Sequence, residues 1–188
     1  DVCSSDLGQA GGGKTDLLIG LALNEHTVSR LFRRQHNDRQ AMVDRMAAIL
    51  GTRDGYNGSD HVWRVPKSDK IVRFGALSEP NAWERYQGDP TDLKGWDEIT
   101  QFLKTEYTTV NAWLRTVKKG QRTRIVAAGN PPVTAEGLWV VEYWAPWLDE
   151  RHPRARSLLR QASRITMLTR CLLVPLMSSS ISSQRPAS

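Results

Sequence analysis

The chain has 188 residues, of which 39% are hydrophobic and 24% charged, enough for one ordinary domain with a sizeable core. No apolar run approaches the roughly 18 residues needed to span a bilayer, and two distant cysteines, Cys3 and Cys171, support neither a disulfide framework nor a thiolate zinc site. The net charge of +6 is confined to one end. Residues 1–153 hold 20 Lys+Arg and 20 Asp+Glu, whereas residues 154–188 hold six arginines and no acid. The charge is therefore no nucleic-acid footprint of the folded part.

Taken in chain order, residues 1–7 resemble a translated sequencing-adapter oligonucleotide and are expected to be a non-native leader. Residues 13–24 read as a helix with Leu17, Leu18, Leu21 and Ala22 on neighbouring faces. A strand follows at 28–32. Residues 38–50 start at an Asp cap, place Met42, Met46, Ile49 and Leu50 at helical spacing, and stop at Gly51. Asp54-Gly55-Tyr56-Asn57-Gly58 is turn chemistry, and alternating segments at 61–65 and 70–75 suit a hairpin. Asp92-Leu93-Lys94-Gly95-Trp96 is a poor strand by propensity. Residues 99–118 read as a helix, Arg124–Ala128 as a strand closed by Gly129-Asn130-Pro131-Pro132, and 138–144 as a further strand. Residues 154–188 are low in complexity and read either as a disordered basic arm or as out-of-frame translation. Helices alternating with apolar strands predict an α/β sheet with a β-hairpin insertion.

The strongest chemical signal is Gly8-Gln9-Ala10-Gly11-Gly12-Gly13-Lys14-Thr15, a full G-x-x-x-x-G-K-[ST] match leading into a helix. Glycines let successive backbone N–H groups turn inward around phosphates, and the helix N-terminus adds partial positive charge. Lys14 then reaches the β/γ oxygens, and the Thr15 hydroxyl can ligate Mg²⁺. Such a loop needs an acidic partner for the metal and a carboxylate to activate water, for which Asp97-Glu98 is the best candidate. Asp97 would hold the metal through its water shell and Glu98 would orient and polarise the attacking water. The local pattern reads equally well as an exposed, helix-capping acidic pair.

These motifs, with Arg33-Arg34 closing a strand, Tyr86-Gln87-Gly88 before Gly95-Trp96-Asp97-Glu98, and Ala128-Gly129-Asn130-Pro131-Pro132, occur in the order seen in tailed-phage terminase large subunits. The resemblance covers residues 8–153. It implies a P-loop NTPase fold of the RecA-like kind, a mostly parallel sheet flanked by helices, and the ATPase half of a DNA-packaging motor. By resemblance Gly8, Gly11, Gly12, Gly13, Lys14 and Thr15 form the Walker A loop binding ATP, and Thr15 with Asp97 holds Mg²⁺. Glu98 is the catalytic glutamate of Walker B, and Asn130 senses the γ-phosphate region. The implied partners are double-stranded DNA, a terminase small subunit, a portal protein and further copies of the chain, in the cytoplasm of an infected bacterial host, with no membrane. The family's adenine-contacting segment lies upstream of the P-loop and its nuclease domain downstream, so neither is expected within these residues. A helicase-like P-loop motor and a non-catalytic fragment binding nucleotide weakly or not at all are the alternatives.

Arg33, Arg34 and Arg115 are candidates for γ-phosphate or inter-subunit contact, or else surface ion-pair residues. The seven tryptophans are dispersed and not interleaved with a basic stripe, which predicts core packing rather than base stacking. His26, His36, His61 and His152 show no metal-ligand spacing.

Overall fold

The computed structural model describes residues 13–116 and 118–148. Gly8, Gly11 and Gly12 of the glycine-rich loop, the leader and the arginine-rich tail lie outside the described residues. The chain forms an α/β fold around a six-stranded, mostly parallel sheet. Its strands are β1 (Val28–Arg33), β2 (Tyr56–Asn57), β3 (Val62–Arg64), β4 (Ile71–Ala76), β5 (Leu93–Asp97) and β6 (Arg124–Ala128), in the spatial order β2-β3-β4-β1-β5-β6. β4, β1, β5 and β6 run parallel, while β3 and β4 form the antiparallel hairpin expected from the alternation at 61–65 and 70–75; β2, over Tyr56–Asn57 where a turn was expected, instead pairs antiparallel with β3.

Strand alternation sorts the side chains into two cores. On one face Leu31, Val72, Phe74, Leu93 and Val126 meet α1 (Lys14–Asn24) through Leu18, Ile19 and Ala22, and α2 (His36–Leu50) through Met42, Val43 and Met46. On the other face Phe32, Trp96 and Ala127 meet Phe102, α3 (Lys104–Asn111) through Tyr107, and α4 (Trp139–Leu148) through Trp139, Val140 and Trp144. Phe32 stacks on Trp96 with ring centroids 4.5 Å apart, and Trp96 meets Phe102 edge-on at 5.0 Å. Trp63, Trp96 and Trp144 are fully buried, in line with the core role expected for the tryptophans. No helix among the described residues is long and apolar enough to cross a membrane.

Several expectations need correction. Residues 139–144 belong to helix α4 and Leu138 to the turn before it, not to a strand: the run Trp139-Val140-Val141 is apolar on all sides, so strand and buried-helix readings share one pattern. Residues 99–118 do not form one helix. A 3-10 turn at Ile99–Gln101 gives way to extended backbone at Leu103 before α3 begins, and the Glu106 carboxylate accepts the Leu103 N–H at 2.8 Å to fix that start. Helix α2 starts two residues earlier than expected, with Gln35 at its N-cap and no side-chain cap, and Asp38 falls in its first turn. Its stop is as expected, since Gly51 adopts φ 70° at the C-cap. Ile49 is 45% exposed, and Val43 takes its place in the core.

The weakest strand by propensity, β5, is buried along its whole length between β1 and β6. Its glycine has a packing reason. A Cβ on Gly95 would stand 2.5 Å from Leu31 Cδ2 and 3.3 Å from Leu18 Cδ2, so glycine is what lets α1 lie close over the strand.

Candidate nucleotide site

In a parallel sheet the carboxyl ends of the strands share one rim, where the following loops can converge on a ligand. Here β1 delivers Arg33, β5 delivers Asp97 and Glu98, and β6 delivers Asn130 two residues beyond its end. Register brings Leu31 level with Gly95, so the next pair on the same face is Arg33 with Asp97, on the side that α1 covers. The N-terminus of α1 starts at that rim. Gly13 at its N-cap has φ 69°, a left-handed conformation suited to glycine, and its carbonyl accepts the first helical N–H, from Leu17, at 2.9 Å.

Five of the expected site residues are thereby linked by three hydrogen bonds. Lys14 Nζ donates to Asn130 Oδ1 at 3.0 Å, and Asn130 Nδ2 donates to Glu98 Oε2 at 3.4 Å. Asn130 is thus a neutral bridge between the loop lysine and the acid. Thr15 Oγ1 donates to Asp97 Oδ2 at 2.8 Å, across 82 residues of sequence. Asp97 is 1% exposed, as befits a strand-end carboxylate held by donors, whereas Glu98 is half-buried and stands at the N-cap of the 3-10 turn Ile99–Gln101, so the cap reading fits Glu98 but not Asp97. Glu98 adopts φ 57°, ψ 52°, a left-handed conformation costly for a side-chain-bearing residue. That turn directs the chain from β5 away at once, so Asp97 and Glu98 meet the rim from different backbone angles. Gly129 allows the approach: a Cβ there would stand 3.0 Å from Ile99 N.

Arg33 and Arg34 part company because neighbouring residues at a strand end face opposite ways. Arg33 Nε donates to Asp97 Oδ2 at 2.8 Å, inside the site. Arg34 reaches the other side of the sheet, where its Nη1 donates to both oxygens of Glu106 at 2.8 and 2.7 Å, making it an anchor for α3. Arg115 lies at the opposite end of the sheet: its N–H bonds Thr91 O just before β5, and its guanidinium sits 5.1 Å from the Trp113 ring. Of the three arginines offered by the sequence, Arg33 alone reaches this rim.

A cleft of about 430 Å³ opens over these groups. Lys14, Thr15, Arg33, Glu98 and Asn130 form its polar floor, and Ala41, Met42 and Arg45 of α2 form a wall that sequence motifs did not signal. Arg45 holds Asp16 through two bonds of 2.6 Å between α2 and α1, and those bonds keep the Asp16 carboxyl below its usual range. The volume suits a small-molecule ligand.

The donor set fits a Mg²⁺ ion arriving with phosphates. Thr15 and Asp97 present one hydroxyl and one carboxylate side by side, and Mg²⁺ characteristically takes few protein oxygens, completing its octahedron with water and phosphate. Among the described residues no group of three or more His, Cys, Asp or Glu forms a self-sufficient metal cage. His26 is buried against Asp92, whose carboxylate also accepts the N–H groups of Thr27 and Val28, a structural role at the far end of β1. In comparisons with known proteins, no family model, no curated protein and no solved structure matches this chain.

Proposed function

We propose that the chain is a P-loop ATPase domain, the ATP-hydrolysing motor of a terminase large subunit that drives phage DNA packaging in the host cytoplasm. The observation that carries the ATPase reading is the convergence of Lys14, Thr15, Asp97, Glu98 and Asn130 on one rim from three separate elements. These are the residue types that phosphate binding, Mg²⁺ coordination and water activation require. The terminase reading, with double-stranded DNA, small subunit and portal as partners and a homo-oligomeric assembly, rests on the ordered motif set from the P-loop to Asn130.

Thr15 and Asp97 would hold Mg²⁺, whose chemistry when bound would be to neutralise phosphate charge. Lys14 holds the terminal phosphates by charge and the amides at the start of α1 hold them by direction. Glu98 orients and polarises the attacking water, its carboxylate held by Asn130. Because Asn130 touches both Lys14 and Glu98, a shift of Lys14 toward phosphate is felt at the catalytic acid. The test is release of inorganic phosphate from Mg·ATP by the chain, with and without linear double-stranded DNA. Hydrolysis that rises with DNA supports the motor reading, hydrolysis indifferent to DNA reduces it to an ATPase, and no hydrolysis contradicts it.

A further inference from the structure

Asp97 Oδ2 is a crowded atom. Thr15 Oγ1, Arg33 Nε and Arg33 Nη2 all stand 2.8 Å from it. The two kinds of donor differ in what else they permit. A hydroxyl can donate its hydrogen to Asp97 while offering a lone pair to a cation, so the Thr15 bond is compatible with metal coordination. A guanidinium has no lone pair to offer, and its charge repels any second cation brought to the same oxygen. A divalent ion, or a water in its shell, that uses Asp97 Oδ2 must therefore displace Arg33. Arg33 is free to go: its guanidinium is 21% exposed, lines the cleft, and its other bond is a long one of 3.5 Å to the Asp38 carbonyl.

We propose that Arg33 is a built-in competitor of the divalent metal for Asp97, displaced when the metal is bound, and that its guanidinium then turns to the polyphosphate in the cleft. The second half rests on the nucleotide reading above; the competition does not. Such an exchange keeps the buried Asp97 carboxylate paired with a cation in both arrangements, which matters because an unpaired buried charge is costly. It also ties metal loading to phosphate binding, since the charge released from Asp97 becomes available to the anion that arrives with the metal. Arg33 is in this sense a positioning residue.

The experiment is titration of Mn²⁺ into the full chain without nucleotide, following the free-ion electron paramagnetic resonance signal, for the unaltered chain and for Arg33→Gln. Removing the competing charge should tighten Mn²⁺ binding by about tenfold. The same substitution should weaken binding of Mg·ATP, read by titration calorimetry, by about tenfold through loss of a charged phosphate donor. Opposite signs on the two ligands are a signature that a merely structural role does not produce, because a loosened site weakens both. Mn²⁺ binding in Arg33→Gln that is equal to or weaker than in the unaltered chain overturns the proposal. Should that variant not fold, Arg33→Lys keeps the charge but loses the fork that grips Oδ2, and about threefold tighter Mn²⁺ binding is expected of it, with unchanged affinity overturning the proposal. If the unaltered chain binds no Mg·ATP, the nucleotide reading fails by itself, and tighter Mn²⁺ binding in Arg33→Gln still supports the competition at Asp97.

Discussion

Thr15 Oγ1 donates to Asp97 Oδ2 at 2.8 Å, joining the first turn of α1 to the carboxyl end of β5. The two adjacent acids thus have different partners, since Glu98 instead receives Asn130, and the ATPase reading gives them different tasks. Asp97→Asn should weaken the Mg²⁺ site, so its loss of ATP turnover is partly recovered by raising Mg²⁺. Glu98→Gln should retain Mg·ATP binding while turnover falls by about 10² or more, with no recovery at high Mg²⁺. Phosphate release measured across a Mg²⁺ series checks both; near-normal turnover in both variants would remove the pair from the chemistry.

Lys94 offers a prediction about pH. On the face opposite the site, Arg73, Arg30 and Lys94 stand side by side across β4, β1 and β5, and Asp89 pairs with both arginines. Lys94 is fully buried, its Nζ has no hydrogen-bond partner among the described residues, and burial lowers its pKa from 10.5 to about 8. The unfolded chain therefore binds more protons than the folded one between about pH 8 and 10.5, so stability rises with pH through that window. From pH 8 to 9.5 this group should add about 1.5 kcal/mol to the unfolding free energy. Lys94→Met should remove that rise and raise stability at pH 7, as read by urea denaturation at a series of pH values.

Gly95→Ala tests the close approach of α1 to β5. Leu31 and Leu18 are both fully buried, so neither side chain can swing into open space to admit a methyl group. Overpacking of this kind should cost about 1–3 kcal/mol. Because Thr15 rides on the displaced helix, Mg·ATP affinity should fall along with the thermal midpoint. A stable variant with unchanged affinity would show that the contact does not position the loop.

Arg34 and Arg33 should respond differently. Arg34→Ala removes the charged partner of Glu106, which is 3% exposed, and leaves that carboxylate, among the described residues, with the Leu103 N–H alone. A loss of about 2 kcal/mol of stability is expected, with nucleotide affinity unchanged at temperatures where the variant is folded. A large loss of affinity without loss of stability would place Arg34 in the site after all.

How far the sequence reveals this arrangement depends on the range of the signal. Strand β6, the Gly51 stop of α2 and the hairpin carry local signatures, and they stand where those signatures put them. The membership of the rim is legible as well, because Lys14, Thr15 and Asp97 belong to sequence motifs, and the structure brings them together. Strand β5 was obscured since Lys94 and Gly95 answer to partners on other elements: Gly95 to Leu18 and Leu31, Lys94 to the sheet face behind it. The division between Arg33 and Arg34 was hidden for a similar reason. It depends on the parity of β1 against β5, and no property of an Arg-Arg pair announces which member faces the helix that carries the loop.

The most direct measurement for the central claim is calorimetric titration of Mg·ATP into the chain and into Lys14→Ala. Lys14 supplies a charge at the start of α1 that backbone amides cannot replace, and it contacts Asn130 across the rim. A P-loop site requires that the unaltered chain binds Mg·ATP and that Lys14→Ala, folded to the same extent by circular dichroism, loses binding at micromolar nucleotide. Undiminished binding by Lys14→Ala, or no binding by the unaltered chain, would contradict it.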